Sequence, residues 1–283
     1  MILITGAGGT IGTALLNELK GVNVKLRLGY HSADKVAKAK ATGQDAVELD
    51  FGKPETLEAA FAGVDTLFLL GSGGAGQTGR ELNAVRAAKT AGIKKIVKLS
   101  VIGARAEDYT LGTMHSIVEK EIEASGFTWT FLRPNGFMQN FVNLMGGTIP
   151  SQNAFYQPAA DAKISHIDVR DIARVAAKAL TETGHEGKAY DLTGPEAFSY
   201  EHAAEVLSKV LGRKITYVAI SDEAARGAMI GAGLTEWYAD GLVDLNRHYR
   251  TGAAAVVSTA VKDVTGREPG TFEQFVRDNA ASL

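Results

Sequence analysis

The spacing of glycines near the start of the chain is the pattern with the clearest chemical meaning. A mostly apolar segment, residues 2–5, runs into a turn with glycine at positions 6, 8, 9 and 12, and an amphipathic segment over residues 13–19 follows. Glycine leaves main-chain N–H groups open to a phosphate, and a helix that begins there directs its positive end at the anion. The pattern predicts a pyrophosphate site for a dinucleotide, with a plain tight turn as the alternative. The predicted contacts are Thr5, Gly6, Gly8, Gly9, Thr10, Ile11 and Gly12.

The end of the second predicted strand bears on which dinucleotide is bound. Sites for NAD(H) usually place an acid there for the ribose 2′-hydroxyl, whereas sites for NADP(H) place cations there for the 2′-phosphate. Residues 27–32 contain no acid, and the first one after them is Asp34. The sequence therefore favours NADP(H) over NAD(H). The side chains available as donors are His31 and Ser32, together with Arg27 and Lys35.

Asp50 and Phe51 follow the third predicted strand and are predicted to lie beside the adenine. A carboxylate at this position can accept a hydrogen bond from the exocyclic amine of the base. An Asp that only caps the following helix is the alternative.

His115 and Glu119 are the second pair of residues that can do chemistry. They are four residues apart in a predicted helix and so lie on one face of it. A histidine titrates near neutrality and can donate a proton, or it can bind a ligand as a neutral donor or acceptor. A pair that only stabilises the helix is the alternative. Because no third ligand is evident, we expect no metal site.

Composition narrows the classes of function. The chain has 283 residues, of which 45% are hydrophobic and 22% charged, and its formal net charge is −2. This balance gives no reason to expect nucleic acid or a membrane as a partner, so a small molecule is the expected ligand. The absence of cysteine excludes disulfides, thiolate nucleophiles and Fe–S clusters. The first strand begins next to Met1 and no apolar run reaches spanning length, so a cytoplasmic location is expected.

Strands and helices alternate over the first half of the chain. Strands are predicted at residues 2–5, 24–28, 46–49, 66–70, 96–99 and 128–132, with helices at 33–42, 54–61, 78–91 and 114–124 among those between them. This alternation predicts an α/β fold, a Rossmann-type doubly wound parallel sheet. The carboxyl ends of its strands share one edge with the glycine turn. Residues after those ends are predicted to bind the cofactor: Leu70, Gly71, Ser72, Ser100, Val101, Pro134, Asn135 and Phe137.

The second half of the chain is mainly helical. After a helix at residues 169–180 and a strand at 189–192, helices are predicted at 200–211, 222–230, 236–250 and 271–281, with a strand at 215–218. We predict a cofactor-binding domain over residues 1–150, with a return segment at about 165–193, and a smaller substrate-binding lobe over 151–283. A flat aromatic substrate is predicted to contact Phe137, Met138, Phe141, Tyr156 and Trp237, and ordinary core packing is the alternative for each.

The G-x-x-G-x-x-G turn preceded by Thr5 resembles that of the short-chain dehydrogenase/reductase superfamily, although Gly8 also permits a G-x-G reading. The superfamily's Tyr-x-x-x-Lys pair is missing, with Leu111 and His115 at the matching positions. His115, Glu119, the Leu-Arg-Pro at 132–134 and the segment 137–141 resemble the NmrA-like atypical subgroup. That subgroup includes quinone and dye reductases, iminium reductases and redox-sensing regulators. The resemblance implies that His115 contacts the nicotinamide ribose, and that the protein is a homodimer.

These observations support an NAD(P)H-dependent reductase that acts on a quinone-like or other conjugated aromatic acceptor. An ordinary ketone needs a proton as its alkoxide forms, whereas a quinone, an iminium ion or a cationic dye accepts hydride into a stabilised product. Loss of the tyrosine therefore does not forbid hydride transfer. A regulator that senses NAD(P) without turnover, and a tailoring enzyme that uses the cofactor for another reaction, are the alternatives.

Overall fold

This computed structural model describes residues 1–283. The strands are β1 (Ile2–Ile4), β2 (Leu26–Tyr30), β3 (Ala46–Glu48), β4 (Thr66–Leu69), β5 (Lys95–Leu99), β6 (Thr128–Pro134), β7 (Ala154–Gln157), β8 (Lys163–Ile164), β9 (Lys188–Leu192), β10 (Phe198–Ser199) and β11 (Thr216–Ala219). Seven of them form one sheet in the order β3-β2-β1-β4-β5-β6-β9. The pairings from β3 through β6 are all parallel.

Helices connect the strands and make up most of the second half of the chain. They are α1 (Thr10–Glu18), α2 (Ala33–Ala41), α3 (Pro54–Phe61), α4 (Gln77–Thr90), α5 (Thr110–Ala124), α6 (Asn140–Asn143), α7 (Thr148–Gln152), α8 (Val169–Thr181), α9 (Tyr200–Leu211), α10 (Asp222–Gly231), α11 (Glu236–Arg250), α12 (Ala260–Thr265) and α13 (Phe272–Asp278). The sheet order and the alternation with helices confirm the predicted Rossmann-type fold. None of the helices is both long and apolar enough to cross a membrane.

Contacts divide the chain into two units of nearly equal length. Unit 1 consists of Met1–Ala104, Met114–Arg133 and Ile172–Tyr190, and unit 2 of Arg105–Thr113, Pro134–Asp171 and Asp191–Leu283. The predicted division, at residue 150 with a return segment at about 165–193, stays a prediction. In the division by contacts, β6, β9, α5 and α8 each contribute residues to both units.

Each unit has its own apolar core. In unit 1 the buried side chains of β1, β4 and β5 pack with α3, α4 and the second part of α5, and Phe61, Leu67 and Ile96 are fully buried among them. In unit 2 aromatic rings form the centre of the core, with the ring centroids of Phe141 and Phe272 4.6 Å apart. Burial of this apolar area is the main force that holds each unit together.

The sequence predicted the unit 1 elements more accurately than those between residues 135 and 165. Strand β2 lies two residues later than expected, and α5 begins at Thr110, a full turn before the expected start. The last helix ends at Asp278 and continues as a short 3-10 turn. Helices α6 and α7 and strands β7 and β8 were not predicted, because each has five residues or fewer and is too short for a clear period.

The turn between β1 and α1 depends on a close approach of two backbone segments. Gly6 adopts a left-handed conformation with φ of +64°, and its carbonyl accepts a hydrogen bond from Gly9 N–H at 2.9 Å. A Cβ on Gly12 would lie 2.2 Å from Gly6 O and 2.8 Å from Ala7 Cα. Only glycine at position 12 therefore allows α1 to begin directly against the turn.

Replacing Gly12 by alanine should distort this turn, because backbone atoms rather than flexible side chains occupy the space. We expect Gly12→Ala to lower the free energy of unfolding by about 2 kcal/mol or more, and to weaken NADPH binding. The matched control is Gly227→Ala, an exposed position in α10 where a Cβ would meet nothing within 4 Å. Urea unfolding and a fluorescence titration with NADPH measure the two effects. Wild-type stability and affinity in Gly12→Ala would contradict this view of the turn.

Candidate active site

The ends of β1 and β4 lie where the strand order of the sheet reverses, the point at which open α/β sheets bind their ligands. Thr5 ties these two ends together, since its buried hydroxyl donates to Phe68 O at 2.8 Å and accepts from Leu70 N–H at 2.8 Å. The side chain of Leu70 covers Gly6, with Cδ2 3.0 Å from the position of a Cβ there. Thr5 and Leu70 thus pack against the glycine turn at the ends of β1 and β4.

The start of α1 fits a bound phosphate. Its N-cap residue is Gly9, which has no side chain to satisfy the first N–H groups of the helix. A cation lies at the same turn, because the Lys35 ammonium is 3.2 Å from the point that a Cβ on Gly8 would occupy. Free N–H groups, a helix N-terminus and a lysine are the donors that a dinucleotide pyrophosphate or 2′-phosphate requires. These residues therefore fit NADP(H).

The donors proposed around the end of β2 have different environments. Arg27 points away from the turn and binds Asp45 Oδ2 at 3.1 Å and Ala62 O at 2.8 Å. His31 is exposed, and its Nε2 lies 3.3 Å from Asp50 Oδ2. Ser32 is the N-cap residue of α2, without a hydrogen bond from its side chain to the helix.

Asp50 and Phe51 occupy the loop after β3. Asp50 Oδ1 accepts from Gly52 N–H at 2.8 Å, which leaves its other oxygen facing His31. Phe51 is buried in the core of unit 1, and its carbonyl accepts from Asn83 Nδ2 at 3.1 Å. The carboxylate is thus accessible to a base, whereas the Phe51 ring belongs to the core.

The loop after β4 is held by one arginine and one close contact. Arg80 donates to Ser72 O at 3.1 Å and to Ala75 O at 2.6 Å, and so fixes the loop. A Cβ on Gly71 would lie 2.4 Å from Glu81 Oε1, so glycine is needed here for the carboxylate to approach the backbone. The lack of a side chain at Gly71 therefore leaves room for the Glu81 carboxylate.

A fully buried lysine lies at the centre of unit 1. Lys98 Nζ is 2.5 Å from Glu81 Oε2, 3.0 Å from Leu99 O and 3.1 Å from His115 Nδ1. Gln77 Nε2 donates to the other oxygen of Glu81 at 2.9 Å. Burial is the largest single influence on the pKa of Glu81 and raises it, but the Lys98 ammonium, His115 and the hydrogen bonds from Lys98 and Gln77 together lower the pKa below its ordinary value. Glu81 is ionised and pairs with a charged Lys98.

His115 keeps 8% of its surface exposed. Burial and, less strongly, the Lys98 ammonium lower the pKa of His115 to about 3, although the Glu81 carboxylate acts in the opposite direction. The ring is therefore neutral at pH 7. Of the two roles that the sequence left open, neutral hydrogen bonding fits this environment, whereas proton donation by an imidazolium near neutrality does not.

Glu119 lies one turn after His115 but binds different partners. Its buried carboxylate accepts from Ser100 Oγ at 2.6 Å, from Arg133 Nε at 3.0 Å and from Arg133 Nη2 at 2.6 Å. These contacts join α5 to the ends of β5 and β6. We therefore interpret Glu119 as an anchor for the helix that carries His115, in place of the catalytic role predicted from the sequence. Val101 follows Ser100 and is partly exposed.

The predicted cofactor residues after β6 belong to unit 2. Pro134 is buried. The Asn135 amide group donates to Ser165 Oγ at 2.9 Å and to Ala254 O at 2.8 Å, so both of its hydrogens have partners within the unit. Phe137 is partly exposed and forms an isolated parallel bridge with Ile167. Contact of these residues with the cofactor stays a prediction.

The five predicted substrate contacts lie in unit 2 in two different environments. Met138 and Phe141 are fully buried in its apolar core, the alternative that the sequence allowed. Tyr156 is 38% exposed, and its hydroxyl donates to Gln152 Oε1 at 2.9 Å. Trp237 is partly exposed, with its ring 6.3 Å from that of Tyr238. Phe137, Tyr156 and Trp237 are therefore the members of this set that a ligand can reach.

Sequence reasoning missed Lys98 and Glu81. Lys98 interrupts the apolar residues 96–99 of β5, all of which are buried, and a lysine is almost never fully buried unless it is paired. That interruption was a usable signal for an internal ion pair. The partner was harder to find, because Glu81 is one of several polar residues in α4 and comes 17 positions before Lys98.

Known reductases resemble this chain over nearly its whole length. It is 37% identical over 284 residues to an NAD(P)H azoreductase of Xenophilus azovorans, a match that covers 100% of this chain and 99% of that protein. The crystal structure of an NADPH-dependent quinone oxidoreductase of Escherichia coli complexed with NADPH superimposes with a TM-score of 0.89 at 28% identity, covering 98% of this chain and 99% of that chain. A Citrobacter sp. triphenylmethane reductase complexed with NADP(H) gives a TM-score of 0.87 at 25% identity, with the same coverage.

A protein-family model also matches this chain. The model of the NmrA-like family matches residues 1–260, which include the glycine turn, the buried Lys98 cluster and His115. This match confirms the resemblance inferred from the turn and from the residues around His115. The chain belongs to the NmrA-like family.

Proposed function

We propose that this protein transfers hydride from NADPH to a conjugated aromatic acceptor of the quinone or dye class. Its relatives support the coarser statement, that the chain is an NAD(P)H-dependent reductase. The proposal concerns the acceptor and the residues that handle it. It depends on one observation, that the histidine in the position of the superfamily's lysine is buried and neutral.

A neutral histidine limits the chemistry that unit 1 can perform. His115 offers a hydrogen bond but no labile proton near neutral pH, and the Tyr-x-x-x-Lys pair is missing from the sequence. An aliphatic ketone needs a proton as its alkoxide forms. A quinone or a cationic dye spreads the added electron pair over its conjugated system and needs little acid. The environment of His115 therefore favours conjugated acceptors over simple carbonyl compounds.

The residues that would hold the cofactor lie along one edge of the sheet in unit 1. The N–H groups at the start of α1 and the Lys35 ammonium would bind its phosphates, and Asp50 would accept from the adenine amine. NADPH, when bound, supplies the hydride. His115 would donate to the nicotinamide ribose or to the acceptor, while Glu119 and Arg133 keep α5 in place.

A panel of acceptors tests the proposed chemistry. We expect NADPH oxidation with at least one of a naphthoquinone, an azo dye and a triphenylmethane dye. For cyclohexanone, an unconjugated control, kcat/KM should be lower by about a hundred-fold or more, the factor that a missing general acid costs. Loss of NADPH absorbance measures both. Tight NADPH binding without turnover of any acceptor would overturn the proposal and favour a sensor of the cofactor.

The pH dependence of turnover tests the state of His115. Its pKa of about 3 means that the ring becomes charged only as the pH falls toward that value. We therefore expect kcat/KM for a quinone to show no histidine ionisation between about pH 5 and about pH 8. Stopped-flow or steady-state rates across this range check the expectation. A decrease in rate with an apparent pKa of about 6.5, the ordinary value for histidine, would contradict it.

Lys35 should determine the preference for NADPH over NADH. Replacing it by glutamate places a like charge beside the 2′-phosphate, so we expect Lys35→Glu to raise the KM for NADPH about ten-fold or more. The KM for NADH should change much less, because NADH lacks the 2′-phosphate. Lys40→Glu, an exposed change at the other end of α2, is the matched control. An unchanged preference for NADPH in Lys35→Glu would mean that Lys35 does not contact the cofactor.

A further inference from the structure

We propose that Lys98 and Glu81 hold His115 in a single neutral tautomer, with its proton on Nε2, so that His115 always presents a hydrogen-bond donor to its ligand. Lys98 is then a positioning residue that acts through His115. The geometry of unit 1 carries this inference without reference to a substrate. Only the identity of the group that receives the Nε2 hydrogen bond rests on the proposed function.

Counting donors on Lys98 fixes the tautomer. A lysine ammonium has three hydrogens and no lone pair, so it can donate but never accept. Its nitrogen lies 2.5 Å from Glu81 Oε2, 3.0 Å from Leu99 O and 3.1 Å from His115 Nδ1, which assigns one hydrogen to each acceptor. Nδ1 must therefore be unprotonated. In a neutral ring, the proton is then on Nε2.

Glu81 keeps Lys98 charged although the lysine side chain is fully buried. An isolated lysine with a fully buried side chain would lose its proton, and a neutral amine could accept a hydrogen bond from Nδ1–H and reverse the tautomer. The Glu81 carboxylate at 2.5 Å favours the ammonium, and Gln77 and the close approach at Gly71 hold the carboxylate in place. The ion pair therefore sets the direction of the hydrogen bond to His115.

The other ring nitrogen remains available to a ligand. His115 keeps 8% of its surface exposed and uses Nδ1 for the contact with Lys98, so Nε2 is the nitrogen left for a ligand. A fixed Nε2–H matches an acceptor oxygen, such as a ribose hydroxyl or a quinone carbonyl. If the ion pair served stability alone, apolar residues of similar volume would usually serve as well.

Nitrogen NMR of protein with ¹⁵N-labelled histidine tests the tautomer without cofactor or substrate. We expect His115 to show an unprotonated Nδ1 and a protonated Nε2, unchanged between about pH 5 and about pH 8. In Lys98→Met/Glu81→Gln, which removes both charges together, the two nitrogens should move toward the averaged signals of mixed tautomers. Lys95→Met, in the same strand, is the matched control and should leave them unchanged.

Two NMR outcomes would overturn the inference. One is a proton on Nδ1 in the wild-type protein, and the other is a double variant whose His115 keeps its wild-type signals. The five other histidines report in the same spectrum whether the variant is folded. The wild-type measurement stands alone even where the double variant fails to fold.

A double-mutant cycle on NADPH affinity tests whether Lys98 acts through His115. We expect Lys98→Met/Glu81→Gln to weaken NADPH binding about five-fold, the effect of one lost hydrogen bond. In a His115→Ala background the same pair should change affinity by less than about two-fold. A full five-fold loss in that background would overturn the positioning role. If the tautomer shifts but affinity does not, the NMR result upholds the inference, and the cofactor contact in the proposed function is wrong.

Discussion

The ion pair between Lys98 and Glu81 is the interaction on which the arrangement of unit 1 depends. A lysine in a central strand, with no part of its side chain exposed, is stable there only because a carboxylate from α4 meets it at 2.5 Å. The pair joins β5 to α4, and the contact of Lys98 with His115 extends the connection to α5. The helices on which cofactor chemistry would depend are thus attached to the sheet by charge as well as by apolar packing.

A second buried carboxylate performs the same task a turn further along α5. Glu119 binds Ser100 at the end of β5 and Arg133 at the end of β6, so α5 is attached to the sheet at His115 and again one turn later. Such fixation suits a reaction in which positioning contributes more than proton transfer. The glycine turn is also held rigidly, because its shape is determined by contacts between backbone atoms rather than by mobile side chains.

The periodicity of hydrophobic residues and the turn residues were enough to predict the parallel sheet, the alternation of strands and helices along the chain, and the glycine turn. Each of these depends on local sequence. Helix α5 was predicted too short, since its first turn lies in unit 2 and its residues have no strong helical period. The contact of His115 with Lys98 was not predicted, for a different reason. A spacing of four residues places Glu119 on the same face of the helix, but only the folded sheet brings Lys98 and Arg133 to these side chains. Contacts between residues that are distant in sequence leave no periodic signal.

The route of the chain through the two units has a consequence for synthesis. Unit 1 takes its last segment from Ile172–Tyr190, far beyond the glycine turn with which the chain begins. During translation the early strands emerge long before this segment exists, so the sheet must wait with an unfinished edge at β6 until β9 has been made. An unpaired edge strand invites association with other chains. A nascent chain that ends between residues 134 and 188 therefore leaves the β6 edge of the sheet unpaired.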